Sequence, residues 1–248
     1  MNPDTAVVVF GYSGDAHQVF NLMPYYVHHK CPVIVFSPTD KPIARKDTDK
    51  IFFRHGGADG PGAGRVGYTG QVSLDRQAVQ MAKLLKEFPH KFFLFNDSDS
   101  VCLSPHLPQY LYNGADTVWS NVVSDEMHIR TDPKYPWPRL ALQPPYFLSR
   151  ENVQKWVEAA TEVKADPQTP FLDWFFMAAS VHMKIKYENF LNGEGISCPT
   201  ENYEPGCWHM ENSVKHHRAI FLHSIKSKGV LLRMAHARLA CKRKFKIA

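Results

Sequence analysis

Two patterns of apolar residues alternate along this chain: short unbroken runs, and stripes at helical spacing. Ala6 to Phe10 (Ala-Val-Val-Val-Phe) is continuous, β-branched and stopped by Gly11, which predicts a strand buried on both faces, as in a parallel sheet. Pro32 to Phe36 predicts a second such strand, closed by Ser37-Pro38, and Ile51 to Arg54 a short third. Between the first two, Val19, Leu22 and Met23 predict a helix over about residues 16–29. Ser73 has the chemistry of an N-cap, and Leu74, Ala78, Met81, Leu85 and Phe88 follow it at the spacing of an amphipathic helix. Phe92 to Phe95 predicts the next strand, and Thr117 to Val123 another. Ala141 to Leu148 reads as a strand at a sheet edge, because Pro144 and Pro145 cannot donate to a ladder. Ser149 caps a helix whose stripe is Val153, Trp156, Val157 and Ala160. Thr169-Pro170 opens a helix from Phe171 to Met183 that is apolar on nearly every face and therefore buried. Ala219 to Leu222 is the last strand.

Strands and helices alternating in this way predict an α/β protein with a mixed sheet, mainly parallel, flanked by helices, in a single domain. A length of 248 residues with 44% hydrophobic and 21% charged residues excludes a disordered chain and a disulfide-dense miniprotein. No run approaches the roughly 18–20 apolar residues of a membrane span, and the polar start Met1-Asn2-Pro3-Asp4 is not a signal peptide. The expectation is a soluble, cytoplasmic protein, with a catalytic piece of a membrane-anchored enzyme as the alternative. Five cysteines without CxxC spacing argue against a zinc knuckle, while Cys198 and Cys207 could pair in an oxidising compartment.

The net charge of +5 is unevenly placed. From Lys226 onward there are eight Lys or Arg and no acid, leaving 21 bases against 24 acids before it. The stretch 231–248 is thus a basic tail in which Leu231, Met234, Ala235 and Leu239 recur near helical spacing. A solvated helix is the favoured reading of it and contact with an anionic surface or nucleic acid the sharper one; the expectation is no nucleic-acid partner, with peripheral membrane contact through the tail left open.

Seven of the fourteen glycines fall in residues 55–70, without the Gly-Lys-Ser/Thr ending of a P-loop, so the expectation is a surface loop able to close over a ligand. Arg76 lies near the predicted helix start and off the apolar stripe, where a cation opposes the helix dipole. The sharpest feature is Phe92-Phe-Leu-Phe-Asn-Asp97-Ser-Asp99-Ser100. Two carboxylates at i, i+2 beyond a buried strand repel each other unless a cation sits between them, and hard oxygen ligands suit Mg²⁺ or Mn²⁺. Ligands of open α/β sheets bind at that end of the strands. An Asx-rich turn is the plain alternative.

Asp97-Ser-Asp99-Ser-Val101 is similar to the strand-end motif of haloacid-dehalogenase-type phosphatases, although their later Gly-Asp-x-x-x-Asp metal site has no match. The chain also resembles the GT-A glycosyltransferases, nucleotide-sugar enzymes with an Asp-x-Asp motif, over about residues 5–230. There the likeness lies in the order of motifs: strand ends at Phe10-Gly11-Tyr12 and Phe36-Ser37-Pro38, the Arg76 helix, Asp97-Ser-Asp99, Asp173 opening a buried helix, and His223-Ser-Ile-Lys226. This resemblance implies a GT-A-like, Rossmann-type fold, with residues 1–100 as the nucleotide-binding half and 101–230 as the acceptor-binding half. It implies transfer of a hexose or pentose from a nucleoside-diphosphate sugar, UDP foremost, to a hydroxyl of a glycan or other acceptor. It further implies that Asp97, Asp99 and His223 hold Mn²⁺ or Mg²⁺, with Asp97 also facing the ribose and Lys226 meeting the diphosphate.

Phe10, Gly11 and Tyr12, at the end of the first strand, are candidates for the nucleotide, and Arg76 for the diphosphate. Asp173 is the candidate general base of an inverting transfer, and Phe171, Leu172, Trp174, Phe175 and Phe176 around it are expected to raise its pKa. A helix-start acid is its alternative, as it is for Glu151. Trp119, Trp137, Trp174 and Trp208 could form a sugar platform, or serve the core. His216-His217 reads as a solvated strand entry. A phosphatase with Asp97 as nucleophile, a nucleotidyltransferase of related fold, and a non-catalytic binding module stand as other readings.

Overall fold

A computed structural model describes residues 4–10, 31–37, 46–55, 70–97, 101–102, 107, 109–124, 140–163, 172–190, 197–199 and 221–223. The expected helix at 16–29, the glycine-rich stretch before Gly70, His216-His217 and the basic tail lie outside these residues. The strands are β1 (Thr5–Phe10), β2 (Val33–Ser37), β3 (Ile51–His55), β4 (Phe92–Asp97), β5 (Val101–Cys102), β6 (Thr117–Ser124), β7 (Leu140–Ser149), β8 (Lys186–Asn189), β9 (Ser197–Pro199) and β10 (Phe221–His223). The helices are α1 (Gly70–Glu87), α2 (Gln109–Asn113), α3 (Arg150–Glu162) and α4 (Leu172–His182).

Seven strands form one sheet in the order β3-β2-β1-β4-β7-β6-β8. β1, β2, β3 and β4 run parallel, β7 is antiparallel to both neighbours, and β8 is parallel to β6. The sheet is therefore mixed and mainly parallel, with helices beside it, as the alternating pattern predicts. Ala6, Val8, Phe10, Ile34, Phe36, Phe93 and Phe95 share a core with Ala78, Met81 and Leu85 of α1, Val153 and Trp156 of α3, and Phe176 of α4. Strand alternation assigns Val7, Val9, Val33, Val35 and Leu94 to the opposite face, and they are buried as well. Burial on both faces is why these strands read as unbroken apolar runs.

Two expectations are corrected. The strand with Pro144 and Pro145 is interior, between β4 and β6. Its pairing with β4 covers only Tyr146 to Ser149, and its register with β6 shifts between Trp119 and Asn121, opposite the prolines, so neither ladder needs their missing N–H groups. Helix α1 begins at Gly70 rather than after Ser73, because Gln71 and Val72 contain nothing that stops a helix. Arg76 consequently lies in its second turn, where the macrodipole acts less on a cation.

Ser149 caps α3 as expected: its Oγ accepts from the Asn152 N–H at 3.3 Å and donates to the Ala115 carbonyl at 2.6 Å. The next residue ties two helices together. The Arg150 guanidinium donates to the carbonyls of Phe88 (2.7 Å) and Leu85, oxygens at the end of α1 that lack an intrahelical partner. Arg150→Met is expected to lower the unfolding free energy by about 1–3 kcal/mol, since it strands those carbonyls. Urea unfolding would show this as a lower midpoint at unchanged slope.

Candidate active site at the carboxyl edge of the sheet

Chain direction alone decides which elements meet where β1, β2 and β4 end. Phe10, the last residue of β1, pairs with Asp97, the last residue of β4, and also with Phe36 of β2. Asp97 thus belongs to the strand rather than to a following turn. The Phe10 ring is buried and stacks on Phe36 and Phe95, with centroids 5.5 and 5.8 Å apart, so Phe10 offers this edge its backbone while its side chain completes the core.

Two helices open toward the same edge. Residues 88–91 join the end of α1 to the start of β4, so α1 runs against the strands and its first half, with Arg76, lies toward their carboxyl ends. Likewise, residues 183–185 join the end of α4 to β8, which is parallel to β6 and hence to β4. The first turn of α4, with Asp173, is thereby directed to the carboxyl edge.

The remaining partner comes from far along the chain. β5, β10 and β9 form a second, three-stranded sheet, in which β10 runs antiparallel to β5, with Leu222 opposite Val101 and Phe221 opposite Cys102. β10 ends at His223, immediately after Leu222. Asp99 precedes Val101 by two residues, a reach of at most about 7 Å between Cα atoms. His223 is the residue of β10 that follows the Leu222–Val101 pair, at the end of β5 nearest in sequence to β4. β9 runs parallel on the other side, with Pro199 opposite His223.

Of the residues expected at a site, Phe10, Arg76, Asp97 and Asp173 are thus carried toward one edge by register and helix direction, while His223 ends β10 in the three-stranded sheet. Gly11, Tyr12, Asp99 and Lys226 lie outside the described residues, the first two directly after Phe10 and the last three positions after His223. Carboxylates with an imidazole form a donor set that Mn²⁺ or Mg²⁺ accepts. Among the described residues no three His, Cys, Asp or Glu side chains form a metal cluster.

Other candidates go to the scaffold. Glu151 is exposed in the first turn of α3 and pairs with Lys155 at 2.9 Å, a helix-surface role. Trp119 packs edge-on against Tyr110, with centroids 4.9 Å apart. Displaced pKa values also mark structural contacts. The Phe53 N–H, followed by Arg54, holds the Asp47 carboxyl below its usual range, and a hydrogen bond from Lys186 does the same for Asp116. One residue of this edge had no signal in the pattern: Asn96, buried one position before Asp97.

No family model matches the chain, and no curated protein matches its sequence. Among solved structures it is similar to one described as the crystal structure of a glycosyltransferase involved in the glycosylation of the major capsid of PBCV-1. The identity is 11% and the TM-score 0.46, over 96% of this chain and 98% of that one. No helix among the described residues is long and apolar enough to cross a membrane.

Proposed function

We propose that this protein is a metal-dependent glycosyltransferase that moves a sugar from a nucleoside-diphosphate sugar, UDP foremost, to a hydroxyl acceptor with inversion. The observation that supports the reading is the pairing of β10 with β5, the strand that begins four residues after Asp97: it sets Leu222, the residue before His223, opposite Val101. A nucleophilic aspartate alone would need no such histidine from a distant strand.

In this reading Asp97, Asp99 and His223 hold the divalent cation. When bound, it neutralises charge on the diphosphate that departs. Lys226 and Arg76 add positive charge around the same phosphates. Backbone groups of Phe10 and Gly11, with Tyr12, bind the nucleoside. Asp173 takes the proton from the acceptor hydroxyl as its oxygen bonds to the anomeric carbon. The bond from that carbon to the phosphate oxygen breaks, and its electrons leave with the nucleoside diphosphate.

Calorimetric titration of nucleoside diphosphates, with and without Mn²⁺, tests this on wild type and Asp99→Asn. One nucleotide is expected to bind wild type only with metal, and Asp99→Asn is expected to abolish that binding. Metal-independent binding, or none, would defeat the proposal. In the second case, trapping a phospho-aspartate at Asp97 would identify a phosphatase.

A further inference from the structure

Asn96 sits in the central strand β4, paired with Val9 of β1 and one residue before Asp97. It is 1% exposed, yet neither its Nδ2 nor its Oδ1 has a hydrogen-bond partner among the described residues. Buried amides without partners are costly, and folded proteins seldom retain them without a use. The strand offers no structural need for one here, since Leu94, on the same face, is apolar and fully buried.

The position narrows that use. Phe95 faces the helices and stacks on Phe10, so Asn96 belongs to the other face, in line with the buried Val9 and Val35. Polar contacts described on that face, such as Thr5 to Tyr112 and Ser149 to the Ala115 carbonyl, lie at the opposite end of the strands. A carboxamide presents one donor and one acceptor side by side, which complements the edge of a nucleobase. A diphosphate offers acceptors only, and the apolar flank of valines suits a flat base better than a charged group.

We infer that Asn96 is a specificity-determining residue that hydrogen-bonds the base of the nucleoside diphosphate, whose binding supplies the partner its amide lacks. This rests on the nucleotide reading above and adds to it the residue that reads the base.

The test compares wild type with Asn96→Leu, which keeps the volume and removes both polar atoms. The ligands are, each with Mn²⁺, the nucleoside diphosphate that wild type binds best among UDP, CDP, GDP and ADP, and inorganic pyrophosphate. The variant without ligand is expected to melt at the wild-type temperature or above, because nothing inside the protein loses a partner. Its affinity for the nucleotide is expected to fall on the order of tenfold or more, while pyrophosphate binds as before. A lower melting temperature without ligand would mean that the protein itself satisfies Asn96, and would overturn the inference. Unchanged nucleotide affinity, or an equal loss for pyrophosphate, would overturn it too. Asn96→Ser gives the same comparison should the leucine variant not fold. Failure of the underlying reading is separate, since wild type itself would then bind no nucleotide, and the inference would fall with it.

Discussion

Asp173→Asn is expected to lower kcat by about 10²- to 10⁴-fold, the usual contribution of a general base, while the affinity for the nucleoside diphosphate stays unchanged. The split follows from where the residue stands. Asp173 is the second residue of α4, whose direction carries its first turn to the carboxyl edge, whereas the described residues assigned to the donor, Phe10, Arg76, Asp97 and His223, come from β1, α1, β4 and β10. An amide in place of the carboxylate keeps the shape but cannot accept the acceptor's proton. An acid at a helix start also stabilises the helix dipole, by about 0.3–1 kcal/mol. A variant with wild-type kcat and only a slightly lower melting temperature would assign Asp173 to that role and leave the base to be found elsewhere. Initial rates at saturating donor, set beside a calorimetric Kd, separate the two.

The largest expected effect on stability is at Trp156, where alanine should cost about 3–5 kcal/mol. Its side chain is fully buried between the sheet and α4, with ring centroids 5.7 Å from Tyr146 and 4.4 Å from Phe176. The indole N–H donates to Ser180 Oγ at 3.0 Å, and that hydroxyl donates in turn to the Phe176 carbonyl at 2.7 Å. Removing the indole leaves a cavity where β7, α3 and α4 meet. For a chain of this length each kcal/mol moves the melting temperature by roughly 2–4 °C, so scanning calorimetry should show a fall of roughly 6–20 °C. Trp156→Phe keeps most of the volume and loses the hydrogen bond, and should cost about 1 kcal/mol. If the two variants were equally destabilised, packing would not be the dominant contribution.

What could be read from the chain beforehand follows the range of the forces involved. β1, β2 and β4 were legible because burial on two faces writes itself into five or six consecutive residues. The stripe of α3 and its Ser149 cap were equally local. β8, by contrast, is Lys-Tyr-Glu-Asn at an exposed edge, and β5 and β9 are two- and three-residue strands with no periodicity to detect. The prolines of β7 misled because their cost depends on which neighbour lies opposite, and a register shift between β6 and β7 removed it. At the site, Asp97 and Asp99 stood out by type and spacing. Asn96 did not, because an asparagine before two aspartates looks like turn chemistry, and only its burial without a partner marks it.

The pairing of β10 with β5 also bears on how the molecule is made. About half of the chain separates Cys102 from Phe221, so this pair closes one of the longest loops in the fold. Contacts of such sequence separation form late, after local helices and neighbouring strands have reduced the entropy of closure. The central sheet from β1 to β4 can be in place on a growing chain while the histidine of the proposed site has not yet been synthesised. Binding of metal and nucleotide would therefore register completion of folding rather than its start. By mass action it would favour the state in which β10 is paired over any in which it has come away.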